Sequence, residues 1–152
     1  MSEPILAPNM SAAAREHVQR YLDTSGAVGH MWRGPGMETP VPTLILTTTG
    51  RKTGQRYRNA LIYGKTNGSY VIVGSNRGAP GHPGWYRNLV AHPEAEVQVL
   101  SEKISARART AAGAEHMALW KQMAKLFPPY VEYLQASGRE IPVVVLDAVN
   151  AQ

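Results

Sequence analysis

Residues 43–63 read TLILTTTGRKTGQRYRNALIY, and this stretch decides the predicted fold. An apolar, β-branched run leads to Gly50, and a second run with apolar and aromatic residues follows Gly54. Side chains of these types favour strands because they fit a pleated, half-buried surface. A glycine at each end of the short loop frees the backbone to turn tightly. The stretch therefore predicts a β-hairpin with strands at residues 43–49 and 56–65.

Four positive charges lie within eight residues of this hairpin, at Arg51, Lys52, Arg56 and Arg58. Since alternate residues of a strand share a face, we expect Arg56 and Arg58 to point to the same side. Exposed backbone amides and convergent cations suit a phosphate or a carboxylate. The alternative is a hairpin whose charges are only solvated, as most charged loop residues are. The residues alone leave both interpretations open.

Composition sets the limits of the prediction. The chain has 152 residues, of which 43% are hydrophobic and 18% charged, as is typical of a soluble globular protein. We expect a single domain over residues 1–152, with a mobile N-terminal arm at about residues 1–10. With no cysteine, no membrane-length apolar run and no signal-peptide pattern, a cytoplasmic protein without disulfides is predicted. The net charge of +5 indicates an anionic partner but does not identify it.

Further strand signals follow the hairpin. Asn67-Gly68 predicts a two-residue turn, because both positions of that turn need positive φ. Six strands joined largely by hairpins predict an antiparallel barrel with flanking helices, since a parallel α/β fold would need strand–helix alternation. The predicted fold is therefore mainly β with flanking helices (α+β), a six-stranded antiparallel barrel. The remaining strands are expected at residues 70–75, 95–99, 104–109 and 141–146.

Helix signals occur at four places. Ser11 is expected to cap a first helix that ends at Gly26. Pro83 suits the first turn of a helix over residues 83–91. Thr110 is expected to cap a third helix that runs to residue 126, and a short fourth helix follows Pro128-Pro129.

Familiar protein-borne catalytic systems are missing from the sequence. The five histidines lack metal-ligand spacing, and no carboxylate cluster accompanies them, so no metal site is predicted. Neither a Gly-x-Ser-x-Gly elbow nor a Gly-x-Gly-x-x-Gly fingerprint is present. If the chain is an enzyme, a cofactor is therefore expected to bring the reactive atom.

Longer motifs carry a resemblance to a known family. TTTGRKTG is followed by SYVIVGSNRGAPGHPGWYRNLVAHPEAEVQVL at residues 69–100, and FPPYVEYL and REIPVVVL follow near the end. In this order they resemble the deazaflavin-dependent nitroreductase family, the F-420-dependent quinone reductases and nitroreductases common in actinobacteria. The resemblance covers about two-thirds of the chain. It implies a split β-barrel of the flavin-binding kind.

The resemblance implies a cofactor site made of three segments. The basic loop grips the phosphate and acidic tail of the deazaflavin, the turn after residue 73 lies along its ring, and the helix at residues 83–91 packs beside it. Without the resemblance, the turn is a plain strand exit and the helix carries core residues. Tyr57 stands where the family usually has an arginine, so it is left open whether Arg56 or Arg58 reaches the phosphate. The implied cofactor-binding residues are Arg51, Lys52, Thr53, Arg56, Arg58, Gly74, Ser75, Arg77, Gly78, Trp85 and Asn88.

The resemblance also implies a substrate pocket near the C-terminal helix. Tyr130 and Tyr133 would stack on an aromatic substrate and offer a phenol hydrogen bond or a proton. Asn76 stands where relatives often have a serine that meets the substrate. Phe127 replaces a further tyrosine, which removes one hydroxyl. The implied catalytic residues are Tyr130, Tyr133 and Asn76, with simple packing as the alternative role of the aromatic residues.

The implied activity is that of an oxidoreductase. A hydride would move from C5 of reduced F-420 to a conjugated acceptor such as a quinone, an unsaturated lactone or ester, or a nitroaromatic, with a proton from Tyr130, Tyr133 or water. One alternative is an FMN oxidoreductase of the same fold. Another is a non-catalytic basic barrel that binds nucleic acid or a cofactor, but the few aromatic residues are not interleaved with the basic loop. We expect a small-molecule electron acceptor as partner, no nucleic acid, no membrane association, and a monomer or homodimer.

Overall fold

A computed structural model describes residues 3–149 of the chain. Within these residues it has a mixed α+β arrangement of strands, α-helices and one short 3-10 turn at Asn76–Gly78. The strands are β1 (Ile5–Leu6), β2 (Met31–Trp32), β3 (Val41–Thr49), β4 (Arg56–Ile62), β5 (Gly64–Thr66), β6 (Ser69–Val73), β7 (Glu94–Val99), β8 (Glu102–Thr110) and β9 (Val143–Ala148). The helices are α1 (Ala12–Thr24), α2 (Gly84–Ala91), α3 (Gly113–Leu126) and α4 (Pro129–Ser137).

The strands form one open sheet. Its order is β1-β4-β3-β7-β8-β9-β6-β5, and β2 pairs with β3 beside this path. The predicted antiparallel pairing is confirmed for every pair except β1 with β4, which is parallel. The predicted six-stranded antiparallel barrel is not confirmed, because the described sheet has nine strands and stays open between β1 and β5. Strands of two or three residues show no readable alternation, and closure depends on pairing between distant segments.

The second strand of the hairpin, predicted as one run over residues 56–65, is divided at Tyr63. β4 pairs with β3, whereas β5 pairs with β6. Tyr63 is buried, and its hydroxyl lies 2.9 Å from Nε2 of His30. Gly64 lies so close to α3 that a Cβ there would be 2.7 Å from Sδ of Met123. The chain therefore changes strands where a buried tyrosine and a close helix contact require it.

Helices cover both faces of the sheet. On β3, Leu46 packs in one cluster with Trp85 of α2, whereas Ile45 packs with Tyr21 of α1 on the opposite face. Alternate side chains of β3 therefore point towards α2 and towards α1, and this decides the direction of every side chain near the end of the strand. A further cluster under α3 and α4 contains Val71, Val145, Met123, Phe127 and Tyr130.

The ends of the first helix and of the second hairpin confirm the local predictions. The Ser11 hydroxyl accepts a hydrogen bond from the Ala14 amide at 3.1 Å, and α1 ends at Thr24, just before Gly26. Asn67 and Gly68 both have positive φ, at 47° and 84°. These features depend on neighbouring residues alone, which is why the sequence predicts them.

The start of α3 and the N-terminal arm differ from their predictions. Thr110 does not cap α3, because it pairs with Val144 as the last residue of β8, and α3 starts at Gly113. Part of the arm predicted to be mobile is paired with the sheet, since Ile5–Leu6 lies beside β4 and the Ala7 amide donates to the carbonyl of Arg58. Residues 1 and 2 of that arm lie outside the described residues.

Within residues 3–149, none of the helices has the length and apolar character needed to cross a membrane. Over the same residues, no group of three or more histidine, aspartate and glutamate side chains is arranged to hold a metal ion.

Candidate functional site

The basic loop between β3 and β4 is a tight turn held by its own backbone. The Gly50 amide donates to the carbonyl of Gln55 at 2.7 Å, and the Gly54 amide donates to the carbonyl of Gly50 at 3.0 Å. A Cβ at Gly50 would lie 2.8 Å from the Gln55 carbonyl oxygen and 2.9 Å from Cε2 of Tyr57. Because only glycine fits there, the loop closes tightly and leaves Arg51, Lys52 and Thr53 exposed.

Asn88 of α2 fastens this loop. Its side chain is buried, and Oδ1 accepts hydrogen bonds from the Arg51 amide at 3.2 Å and from Arg51 Nη1 at 2.8 Å. Its Nδ2 donates to Oγ1 of Thr48 at 3.1 Å. Asn88 is thus engaged at both ends of its amide and orients Arg51. The structure brings these two predicted site residues together, while Lys52 stays free beside them among the described contacts.

Tyr57 faces α2, whereas Arg56 and Arg58 face the other side. Directly opposed residues of an antiparallel pair point to the same face. Tyr57 opposes Thr48, whose hydroxyl contacts Asn88, so Tyr57 lies on the α2 face.

The two arginines oppose the other set of β3 side chains. Arg58 opposes Thr47 and Arg56 opposes Thr49, on the face that also bears α1. The prediction that the two arginines share a face is confirmed. Neither is brought to the side where Arg51 and Asn88 meet, and Nε of Arg56 is buried with no hydrogen-bond partner among the described residues.

The second predicted segment is a turn that packs under α4. Asn76, Arg77 and Gly78 have φ of 49°, 54° and 84°, and the backbone amides of Ser75, Asn76 and Arg77 donate to no acceptor within residues 3–149. A Cβ at Gly78 would lie 3.2 Å from Cα of Tyr133, so the turn and the helix are in direct contact.

The start of this turn is equally close-packed. A Cβ at Gly74 would lie 2.9 Å from Cγ of Pro142. Ser75 is buried, whereas Asn76 and Arg77 are exposed, and Nδ2 of Asn76 donates to the Gly81 carbonyl at 2.9 Å. The turn thus offers unpaired backbone donors on a surface of small residues.

Aromatic rings cluster beside the turn. Phe127 and Tyr130 meet edge-to-face at 5.0 Å, and Tyr133 lies 6.4 Å from each of them. The ring of Trp32, the last residue of β2, lies 6.1 Å from that of Phe127, which places it against the cluster. Tyr130 is buried, and burial strongly raises the pKa of its phenol. Tyr133 is only partly buried, so it is the more accessible residue of the two.

Trp85 lies in the interior. It is buried in the cluster that contains Leu46 and Leu89, and its ring meets Tyr86 edge-on at 6.3 Å. Packing in the core is therefore its observed role, and contact with a cofactor stays a prediction.

Arg139 is a residue that the sequence interpretation missed. It lies between α4 and β9, and its guanidinium donates to the carbonyls of Gly74, Ser75 and Ala79 and to Nδ1 of His82. It thus spans the whole turn. Its partners are some 60 positions away along the chain, so no local pattern reports them.

A groove of about 490 Å³ lies elsewhere, between Pro42, Lys65 and Lys125. Pro42 is near the start of β3, whereas the basic loop follows its end, so this groove is separate from the residues predicted for the site.

The chain is similar to known proteins over most of its length. A family model described as F420H(2)-dependent quinone reductase matches residues 13–148. An F420H(2)-dependent quinone reductase of Mycobacterium tuberculosis (strain ATCC 25618 / H37Rv) is 36% identical over 135 residues, which are 87% of this chain and 87% of that protein. The solved structure of the F420-H2 dependent reductase FDR-A matches with a TM-score of 0.65 and 36% identity, over 70% of this chain and 94% of that one. A structure described as a domain-swapped dimer matches with a TM-score of 0.67 and 33% identity, over 88% and 96% of the two chains.

Proposed function

The chain belongs to the F420H(2)-dependent quinone reductase family, and from this premise we propose that it passes a hydride from reduced F-420 to a quinone. It is an F-420-dependent reductase, and F-420 is its cofactor. We further propose unsaturated lactones or esters and nitroaromatics as acceptors, because they too present an electron-poor conjugated carbon.

The observation that carries the proposal is the fastening of the basic loop to α2. Asn88 orients Arg51 through two hydrogen bonds, so a guanidinium is held in place at the residue next to Lys52, whose ammonium has no partner within residues 3–149. A preorganised cation costs little conformational entropy on binding, which favours an anionic ligand at this end. The phosphate and the acidic tail of F-420 have that charge.

The residues fit the rest of the cofactor as well. The unpaired amides of Ser75, Asn76 and Arg77 are donors that match the carbonyl-rich edge of a flavin-like ring. Gly74 and Gly78 let the turn pack closely against Pro142 and Tyr133, which holds the backbone that carries these amides in place. Arg51, Lys52 and Thr53 are proposed to bind the anionic end, and Gly74, Ser75, Arg77 and Gly78 the ring.

Reduced F-420, when bound, supplies the hydride. The chain is proposed to position the acceptor and to stabilise the negative charge that develops on its oxygen. The aromatic cluster excludes water from the acceptor. Tyr130, whose pKa is raised by burial, keeps its proton and serves as a hydrogen-bond donor, whereas the more accessible Tyr133 is the better candidate to transfer a proton.

The proposal is tested by mixing purified protein with reduced F-420 and a panel of quinones, enones and nitroaromatics, and following the absorbance of the cofactor. We expect F-420 to bind at micromolar concentration and to be oxidised only when an acceptor is present. Titration with FMN in parallel is the control for the related cofactor. Binding of FMN without binding of F-420 would contradict the proposal.

A cytoplasmic location and a monomeric or homodimeric state stay predictions. One relative's structure is described as a domain-swapped dimer, and light scattering on the purified chain would decide the state here.

A further inference from the structure

The guanidinium of Arg139 is bound almost entirely by backbone carbonyls. Nε donates to Ala79 at 3.1 Å, and Nη2 donates to Gly74 at 3.2 Å and Ser75 at 3.0 Å. Nη1 lies 3.1 Å from Nδ1 of His82. One side chain thus connects the first residues of the turn to the segment that enters α2.

No carboxylate neutralises this cation in the part of the chain that the structure describes. The four ion pairs found there involve Arg20, Arg107 and Arg109, and none includes Arg139. A partly buried cation without an acidic partner is unfavourable unless its donors are well used. The guanidinium of Arg139 meets this condition because carbonyls of the turn surround it and accept its hydrogen bonds. The guanidinium and the turn therefore stabilise each other.

His82 completes the arrangement only in its neutral form. Because the Arg139 guanidinium can only donate, Nδ1 of His82 must accept, which requires that this nitrogen carry no proton. The other groups that face the ring are Arg87 and Tyr86 of α2, the latter with ring centroids 4.9 Å apart. Burial, Arg139 and Arg87 together lower the pKa of His82, in agreement with the geometry.

We propose that Arg139 is a positioning residue of the cofactor cleft, which holds residues 74–82 in the ring-binding shape through neutral His82. The inference rests on the proposed function, because it assigns the ring of the deazaflavin to this turn. α4 packs on one side of the turn through Gly78, and Arg139 holds its carbonyls. Arg139 thus uses the carbonyls of Gly74 and Ser75, whereas the amides of Ser75, Asn76 and Arg77 have no acceptor within residues 3–149 and are left for the ligand. Protonation of His82 removes the acceptor and adds a third positive charge, which opens the contact.

A first experiment needs no cofactor. The ring protons of His82 are followed by NMR from pH 8 to pH 5 in the free protein and in Arg139→Gln. In the wild type we expect His82 to titrate below the ordinary histidine range, and in Arg139→Gln to return towards it. Arg107→Gln, which alters an exposed ion pair with Glu94, is the matched control and should leave His82 unchanged. An unchanged His82 titration in Arg139→Gln would overturn the inference.

A second experiment measures F-420 affinity against pH. The wild type should bind more weakly as the pH falls through the His82 pKa, because the contact opens. His82→Asn keeps an acceptor near the place of Nδ1 and cannot be protonated, so its affinity should be nearly independent of pH over that range. Arg139→Lys keeps the charge but not the fork, and should weaken binding by about tenfold to hundredfold.

The outcomes separate the two proposals. If the wild type does not bind F-420, the proposed function fails, together with the role of Arg139 in the cleft, even where the NMR titration behaves as expected. If the wild type binds F-420 and Arg139→Lys binds it equally well, the proposed function stands and the positioning role is overturned. If the F-420 affinity of the wild type and of His82→Asn changes with pH in the same way, the role of His82 is also contradicted. If Arg139→Gln does not fold, the NMR titration of His82 is followed in Arg139→Lys instead, and F-420 affinity is measured in Arg139→Lys and His82→Asn.

Discussion

Tyr57 lies on the face of β4 that points towards α2, one residue away from arginines on either side. It opposes Thr48, and its ring lies over the entrance of the basic loop, where a Cβ at Gly50 would be 2.9 Å from Cε2 of Tyr57. At this position the chain has a phenol, while the guanidinium groups of Arg56 and Arg58 lie on the other face. Arg51 and Lys52 are therefore the residues that we propose to bind the anionic end of the cofactor.

Replacing Tyr57 by arginine should strengthen F-420 binding. Tyr57→Arg adds a guanidinium on the α2 face, and we expect affinity to rise about three- to tenfold at low salt. Isothermal titration at two ionic strengths checks this, because the gain should shrink as salt screens it. Arg58→Ala on the opposite face is the matched control, with little expected change. A larger loss in Arg58→Ala than gain in Tyr57→Arg would contradict the assignment of faces.

A second prediction for a single residue concerns the effect of Lys52→Ala on F-420 affinity. It is exposed and makes no hydrogen bond or ion pair within the described residues, so Lys52→Ala removes charge without removing packing. F-420 affinity should fall about tenfold, while the melting temperature stays within about one degree. Lys121→Ala on the exposed side of α3 is the control for net charge. Equal losses of affinity in both variants would mean that only overall charge matters.

At the scale of elements, contacts between them align the site. Asn88 joins α2 to the loop between β3 and β4, and Gly78 joins the turn after β6 to α4. Each contact brings together segments that are far apart in sequence. Asn88 uses both the oxygen and the nitrogen of its side-chain amide, and a Cβ at Gly78 would lie 3.2 Å from Cα of Tyr133. The site is therefore built by interlocking elements rather than by one loop.

The contact between Gly78 and α4 can be measured through the unfolding free energy of glycine-to-alanine variants. Gly78 and Gly68 both have φ of +84°, but a Cβ at Gly78 meets the backbone of Tyr133 at 3.2 Å, whereas a Cβ at Gly68 meets nothing within 4 Å. Gly68→Ala should cost about 1 kcal/mol of unfolding free energy, from backbone strain alone. Gly78→Ala should cost about 2–4 kcal/mol, because overpacking adds to that strain. Urea unfolding of both variants checks the difference, and equal costs would show that α4 yields freely.

At the scale of the whole molecule, two partly buried histidines link stability to pH. Burial lowers the pKa of both His30 and His82, with Lys65 contributing at the first and Arg139 and Arg87 at the second. A lowered histidine pKa means that the folded state favours the neutral ring. Their contribution to stability is therefore fully present above the unfolded pKa, near 6.5, and is lost as the pH falls through the folded pKa values.

Acid should thus destabilise the protein in a defined window. Urea unfolding at pH 7.5 and at pH 5 should give a lower midpoint at the lower pH. The double variant His30→Asn and His82→Asn should show a smaller difference between the two midpoints. A double variant whose pH dependence matches that of the wild type would assign the acid sensitivity to other groups.

The sheet as a whole shows where sequence interpretation succeeds. Long strands such as β3 and β7, the Ser11 cap and the Asn67-Gly68 turn are predicted because alternation, capping and turn chemistry are local. Strand β1, the break at Tyr63 and the extension of β8 through Thr110 are not, because they depend on the partner strand.

Motifs of contiguous residues in the sequence were enough to identify the family and the cofactor class, and they predicted most of the residues that we propose for the site. Which of those residues come into contact could be seen only in the folded chain. It showed that Arg51 is oriented by Asn88, that Tyr57 and not its neighbouring arginines faces α2, and that Arg139 holds the turn at residues 74–82. The physical reason is that strand register and long-range hydrogen bonds join segments far apart along the chain, and a one-residue change of register would turn every side chain of β4 to the other face.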